Sequence, residues 1–321
     1  MKNPLVSIIC ICFNQEKFVY DALSSLINLD FYPLEIFLVD NGSKDKSREV
    51  INTWYWLHKE HFKITKMFYD QSQSYCEVFN KALALSKGKY IIDFSCDDIL
   101  LKGHLHHALA SFSENPKAKA YSSQAMLINE TGEALGLFSE RKKNNIVPKG
   151  FIYRELVGFN CICTSTLVFD STTLKLEGGY DETLVYEDFD ILVRLARSHP
   201  FAYSEFVGVK KRLHQNAFSK QQYQVKTSRM LPSTFKVCMK IKLMNETEEE
   251  NEALQFRVMH ELKHALASAN FAVALKFIAL ANAIEVSDPK LVLYTLWAKS
   301  RIDLSFFYAW MKKDPSPQPL Q

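Results

Sequence analysis

Lys89-Tyr90-Ile91-Ile92-Asp93-Phe94-Ser95-Cys96-Asp97-Asp98, residues 89–98, runs from an apolar stretch into two adjacent carboxylates. A short apolar run of this kind reads as a buried strand. The acids then stand at its carboxyl end, where open α/β sheets collect their ligands. Hard carboxylate oxygens suit a magnesium or manganese ion that bridges two phosphates. Two neighbouring acids repel one another, which a cation relieves. The competing reading is that they cap a helix beginning near Leu101.

Strand and helix patterns alternate on the N-terminal side of this stretch. Strands are expected at Leu5 to Cys12, Leu34 to Val39, Phe62 to Tyr69 and Tyr90 to Phe94, with helices at Glu16 to Asn28, Ser43 to Leu57 and Ser74 to Ser86. Ser43 is placed to cap the second helix. The alternation predicts βαβ units on a mostly parallel sheet, an α/β fold. The residues after successive strands are Asn14, then Asp40-Asn41-Gly42-Ser43, then Asp70, then Asp97-Asp98, so polar groups gather at one sheet edge.

Beyond it, two strands joined near Glu130-Thr131-Gly132 are expected between Ala118 and Phe138, then a basic loop from Arg141 to Gly150 and a short helix near Tyr153. A strand at Thr164 to Phe169, a helix at Glu187 to Ser198 and strands around Phe201 to Arg212 follow. After about Gln221 glycine is absent, and amphipathic patterns from Val225 to Met311 predict a helical appendage with a Pro-rich, disordered tail. The expected division is 1–220, 221–313 and 314–321. Within the appendage, NFAVALKFIALANAIEVSDP resembles half of a tetratricopeptide repeat and reads as one helical hairpin.

The chain has 321 residues with 47% hydrophobic content, enough for a large core. Its 39 basic and 36 acidic residues leave a net charge of +3, which argues against nucleic acid as a partner. Seven cysteines without C-x-x-C spacing argue against a disulfide framework or zinc ribbon and favour a reducing, cytoplasmic setting. LVSIICICF from Leu5 imitates a signal peptide but lacks a cleavage site. FAVALKFIALANAI from Phe271 contains Lys276 and is too short to span a bilayer.

Four segments, in this order, resemble glycosyltransferase family 2, the inverting nucleotide-sugar transferases of GT-A fold: VSIICICFNQEKFVYDALSSL, LEIFLVDNGSKDKS, NKALALSKGKYIIDFSCDDIL and GGYDETLVYEDFDILVRL. The match extends over roughly the first 215 to 220 residues. It implies transfer of a single sugar from a nucleotide diphosphate sugar, most simply a UDP-sugar, to an acceptor hydroxyl. The Gln-x-x-Arg-Trp motif of the family's processive synthases is absent, which favours single-sugar transfer, and surface polysaccharide or glycoconjugate synthesis is the implied setting.

The resemblance also implies roles. Asp40 reads the uracil N–H, unless it is only a turn former. Asp97 ligates Mg²⁺ or Mn²⁺, Asp98 positions the donor, and Asp188, with Glu187 as alternate, is the catalytic base; a first-turn acid that complements the helix dipole is the other reading. Asn14, Asn41, Asp70, Asn80 and Arg212 fall among the nucleotide-sugar contacts, and His214 is a second candidate for the metal. Ser95 stands where the family often has an acid, while Asp93 on the same strand either compensates or is structural. Phe79, Ala82 and Cys12 also depart from the usual pattern. Arg141, Lys142 and Lys143 form either a lid or a solvated charge run.

His260-Glu261-Leu262-Lys263-His264 spells the zinc-peptidase motif, with Glu285 downstream as a third ligand. Helical periodicity places His260, His264, Arg257 and Ser268 on a solvent face, which speaks against a cleft. A non-catalytic nucleotide-sugar-binding protein is the third reading. Near the end, Phe306, Phe307, Tyr308, Trp310, Lys312 and Lys313 suit either a peripheral contact with the inner face of a membrane, where a lipid-linked acceptor would reside, or a core or homodimer helix. Cys10 with Cys12, and Cys161 with Cys163, alternate as buried thiols of strand-like runs.

Overall fold

The computed structural model describes residues 3–141, 147–159, 161–215 and 217–311. Lys142 and Lys143 of the basic run, Lys312, Lys313 and the Pro-rich tail lie outside the described residues. The chain divides into two compact units, one of 1–152, 161–182 and 194–214, the other of 153–160, 183–193 and 215–321.

The first unit is built on strands β1 Val6–Cys12, β2 Leu34–Asn41, β3 Lys63–Tyr69, β4 Tyr90–Ser95, β5 Ile99–Leu100, β6 Ala120–Ile128, β7 Ala134–Leu137, β8 Val168–Asp170 and β9 Phe201–Arg212. They form one sheet in the order β3-β2-β1-β4-β8-β6-β9-β5, with β7 paired to β6. β1 to β4 pair in parallel, as do β6 and β9, whereas β8 and β5 run antiparallel to their neighbours. Every residue of β1 and β2 is buried, which is why both read as mostly apolar runs rather than alternating ones, and the two polar interruptions, Ser7 and Glu35, hydrogen-bond each other at 2.8 Å. Chain order reverses between β1 and β4, so the crevice beyond their carboxyl ends is the switch point where ligands of such sheets bind.

Helices α1 Val19–Ile27, α2 Ser47–His58, α3 Tyr75–Leu85 and α4 His104–Glu114 connect the early strands. Their buried stripes, including Val19, Leu23, Ile51, Trp54 and Leu105, join Ile8, Ile36, Ile92 and Phe94 in a common core. Two starts differ from the sequence expectation. α2 begins at Ser47 because the Ser43 hydroxyl instead accepts the Asn14 N–H at 3.0 Å. α4 begins at His104, after the short strand β5, so Asp97 and Asp98 cap no helix. The expected strand at Thr164 is a 3₁₀ turn, Thr164–Thr166, before β8, and Cys161 and Cys163 precede it outside any strand. All seven cysteines are buried.

His104 is fully buried, and burial with the nearby His107 pushes its imidazole down to about 4. An unfolded histidine titrates near ~6.5. Its neutral form therefore contributes stability above that pH, and the contribution is lost as pH falls toward 4. At pH 5 the loss is about 2 kcal/mol. The urea midpoint should fall between pH 7 and pH 5, and His104→Gln should flatten that fall.

In the second unit lie α5 Tyr153–Gly158, the start of α7 Asp188–Ser198, and α8 Leu231–Met244, α9 Glu248–Ala267, α10 Phe271–Ala283, α11 Lys290–Ser300 and α12 Ser305–Met311. The short α6 Ser171–Leu176 belongs to the first unit. Thr247 and Glu250 close a capping box at the start of α9. The segment expected to be a hairpin, NFAVALKFIALANAIEVSDP, holds the single helix α10, and the chain turns from α9 into it at Ala269, with φ of 56°.

The polar face of α9 is not solvent-facing as periodicity suggested. Arg257, Glu261 and Ser268 are buried. Arg257 donates from Nε to the Val157 carbonyl at 3.0 Å and pairs with Glu261, which also accepts the Tyr223 hydroxyl at 3.0 Å. Pairing within the unit satisfies these groups. His264 Nδ1 meets the Tyr308 hydroxyl at 2.9 Å, and burial pushes His260 down to about 4.

Candidate active site

The sheet register puts the acidic strand ends in one row. Cys12 lies opposite Asp40, Asp40 opposite Phe68, and Ile11 opposite Ser95. Beyond β1 the chain turns at Asn14, whose φ is 53°. This turn is zipped to the one after β2: Asn14 Oδ1 accepts the Lys44 N–H at 2.8 Å, Gln15 N–H reaches Ser47 at 2.8 Å, and Glu16 N–H reaches Asp45 at 3.0 Å. Gly42, at φ of 76°, lies where a Cβ would stand 2.4 Å from the Gln71 carbonyl carbon, so only glycine lets the turn after β2 close on the segment after β3.

Asn41 and Asn80 act as clamps. Asn41 exchanges two hydrogen bonds with the Gln73 backbone, at 3.0 and 2.9 Å. Asn80 does the same with the Tyr180 backbone, at 2.8 and 2.9 Å, and also reaches Glu182. Asp93 accepts the hydroxyls of Tyr75 and Tyr180 at 2.6 and 2.8 Å, a structural use rather than a substitute for an acid at Ser95.

Asp97 is the focus of the site. Its Oδ1 accepts the Ser95 hydroxyl at 2.6 Å and its Oδ2 meets His214 Nε2 at 2.8 Å. Burial alone would raise this carboxyl, but the His214 and Ser95 hydrogen bonds outweigh it and hold the group below the usual carboxylate range. Ser95 thus orients the acid that follows it. Asp98 behaves oppositely: burial and the adjacent Asp97 charge push its carboxyl up, while it accepts the Arg212 N–H at 2.8 Å.

β9 delivers the other half of this cluster. Pairing of Ile99 with Lys210 and Leu100 with Val209 brings its carboxyl end beside the Asp97-Asp98 turn. The Arg212 guanidinium donates to the carbonyls of Asp97, Asn129 and Glu130, and lies 4.8 Å from the Phe18 ring. These bonds brace the turn. His214 packs on the same Phe18 ring, with centroids 5.1 Å apart.

Asp97 and His214 supply one hard oxygen and one imidazole nitrogen at a spacing a cation can bridge in place of the shared proton. No group of three metal-ligating side chains occurs among the described residues, His260, Glu261 and His264 included. An ion at Asp97 would therefore take its remaining ligands from substrate and water.

Asp40 is wholly buried, and Arg48 Nε donates to its Oδ2 at 2.8 Å. Its Oδ1 has no hydrogen-bond partner among the described residues. Asp70 is almost fully exposed and touches Arg48 Nη1 at 3.3 Å. Arg48 escaped the sequence reading, although a cation in the first turn of the helix after Asp40 was a signal for it.

Glu187 and Asp188 belong to the second unit, both half-buried at the start of α7. Asp188 Oδ1 accepts the Phe189 N–H at 2.7 Å. Burial and then the Asp188 charge raise the Tyr186 phenol, which marks this carboxylate as its neighbour. Asp190, the other acid of that turn, is buried against Lys240 at 2.6 Å.

Residues 7–152 match the model of glycosyl transferase family 2. That stretch of the chain is a glycosyl transferase family 2 segment. Among curated relatives, a poly-beta-1,6-N-acetyl-D-glucosamine synthase of Staphylococcus epidermidis is 25% identical over 202 residues, 62% of this chain and 46% of that protein. The alignment thus spans under half of that relative's length. An uncharacterized glycosyltransferase of Methanocaldococcus jannaschii is 26% identical over 217 residues, 66% of this chain and 72% of its own. Among solved structures, S. aureus TarS 1–349 in complex with UDP-GlcNAc superposes with a TM-score of 0.66 at 15% identity, covering 97% of this chain and 92% of that one. The mannosyltransferase PcManGT from Pyrobaculum calidifontis, in complex with GDP-Man and Mn2+, gives 0.60 at 15% identity, with 98% and 89% covered. These likenesses show the fold, a GT-A architecture followed by helices.

Proposed function

We propose that this protein is an inverting glycosyltransferase that moves one sugar from a nucleotide diphosphate sugar to an acceptor hydroxyl, in surface polysaccharide or glycoconjugate synthesis. The observation that carries the reading is Asp97, a half-buried carboxylate at the switch point of the sheet, oriented by the Ser95 hydroxyl and paired with His214. Nucleotide-sugar complexes of the two structural neighbours support the donor class.

Asp97 and His214 would hold Mg²⁺ or Mn²⁺, which when bound supplies positive charge to the departing diphosphate. Asp40 offers an acceptor to a base N–H, and Asp98, with its raised carboxyl, offers a proton for hydrogen bonding to the donor. Asp188 is the proposed base, taking the proton of the acceptor hydroxyl as it attacks the anomeric carbon.

No described helix is long and apolar enough to cross a membrane. The exposed Val292, Leu293, Leu296, Phe306 and Phe307 of α11 and α12 are where a membrane surface or second copy would be met by the second unit. Thermal stabilisation by a panel of nucleotide sugars with manganese tests the donor assignment. One or a few uridine donors should raise Tm by several degrees, whereas no response to any donor would remove the reading. Stabilisation without turnover across an acceptor panel would favour a binding protein instead.

A further inference from the structure

We propose that α8 is a platform that aims the Glu187-Asp188 turn, with Lys240, Ser233 and Thr234 as its positioning residues, so that a helix beyond the family 2 segment serves the transfer chemistry. The inference rests on the reading that Asp188, or Glu187, is the base, and adds the residues that hold it in place.

Residues 183–193 fall in the same compact unit as α8 and α9, whereas Asp97 falls in the other. Within the turn, Leu184, Tyr186, Phe189 and Asp190 are buried, while Glu187 and Asp188 are only half-buried. The two acids are thus flanked by anchors on both sides. Ser233 and Thr234 interrupt the otherwise apolar buried stripe of α8, which holds Leu231, Val237, Cys238 and Ile241. A hydroxyl buried among apolar side chains is costly unless it is hydrogen-bonded. Both are used on the turn: Val185 N–H donates to Ser233 Oγ at 2.9 Å, and the Tyr186 and Thr234 hydroxyls meet at 2.7 Å. Lys236 Nζ donates to the Thr183 carbonyl at 2.9 Å, and on the far side of the acids the Arg257 guanidinium of α9 stands 4.8 Å from the Phe189 ring.

Asp190 sets the aim. It is fully buried and accepts Lys240 Nζ at 2.6 Å. An α-helix turns about 100° per residue, so the side chain two positions earlier points to nearly the opposite side. Holding Asp190 inward against Lys240 therefore turns Asp188 outward, where a hydroxyl can reach it. Without Lys240 the Asp190 charge is buried and uncompensated. Rotation of the turn to bring Asp190 to water would then withdraw Asp188.

The test uses the full chain and the nucleotide sugar that most stabilises it with manganese, and measures nucleotide diphosphate release to water as acceptor alongside donor Kd. Lys240→Met should lower kcat roughly 10- to 100-fold, the scale of a misplaced catalytic group, with donor Kd within about twofold of wild type. Lys240→Arg keeps the ion pair and should restore most of the loss. Thr234→Val removes the hydroxyl at nearly constant volume and should lower kcat roughly tenfold, again at unchanged Kd. A lower Tm for Lys240→Met with kcat intact well below that Tm would mean a structural role and overturns the proposal, as does an equal loss of kcat and donor binding. Should Lys240→Met fail to fold, Thr234→Val decides: wild-type kcat there overturns the proposal. Asp188→Asn and Glu187→Gln separate the two layers. If one of them is inactive while Lys240→Met and Thr234→Val turn over normally, the base reading stands and the platform falls, whereas two fully active acid variants remove both.

Discussion

Asp97→Asn is expected to lower nucleotide-sugar turnover by roughly 10³-fold, the scale at which removal of one charge-stabilising group acts on a transition state. The substitution keeps the side chain's shape, so Ser95 and the rest of the turn can stay in place. It removes the negative charge that, with His214, makes this position suited to a cation. Manganese-dependent tightening of nucleotide binding should disappear with it. A structural role for Asp97 alone predicts lower Tm with that tightening intact. Single-turnover assays and nucleotide titrations with and without manganese separate the two outcomes.

Asp188→Asn is expected to reduce kcat by on the order of 10² to 10⁴, the usual worth of a positioned general base, with the donor Kd unchanged. Asn preserves the acceptor that receives the Phe189 N–H, so the first turn of α7 should persist. Glu187→Gln serves as the internal comparison and should cost under tenfold. A reversal of that order would move the base to Glu187, and two fully active variants would mean that neither carboxylate takes the proton.

Which parts of this were legible in the sequence follows from what each residue answers to. β1 and β2 were readable because burial on both faces leaves apolar runs interrupted only by Ser7 and Glu35 before the strand ends, and β4 because Tyr90-Ile91-Ile92 is buried. The acids at those ends were readable for the same reason. Contacts between distant residues were not. Nothing local shows that Ser43 gives up its helix cap to bond Asn14, or that Arg212 spends its guanidinium on three carbonyls. The α9 face misled in a physical way: Arg257 looks solvated by periodicity, but it pairs with Glu261 four residues on and both are buried. Ser95 looked like a missing ligand in the sequence, whereas its hydroxyl orients the ligand that remains.

The central claim is cation-assisted donor cleavage centred on Asp97. It is tested most directly by measuring nucleotide diphosphate release from the preferred donor, first with manganese and then with excess EDTA. The account predicts release with the metal, its abolition by EDTA and recovery when manganese is restored. Equal release in the presence of EDTA would contradict it.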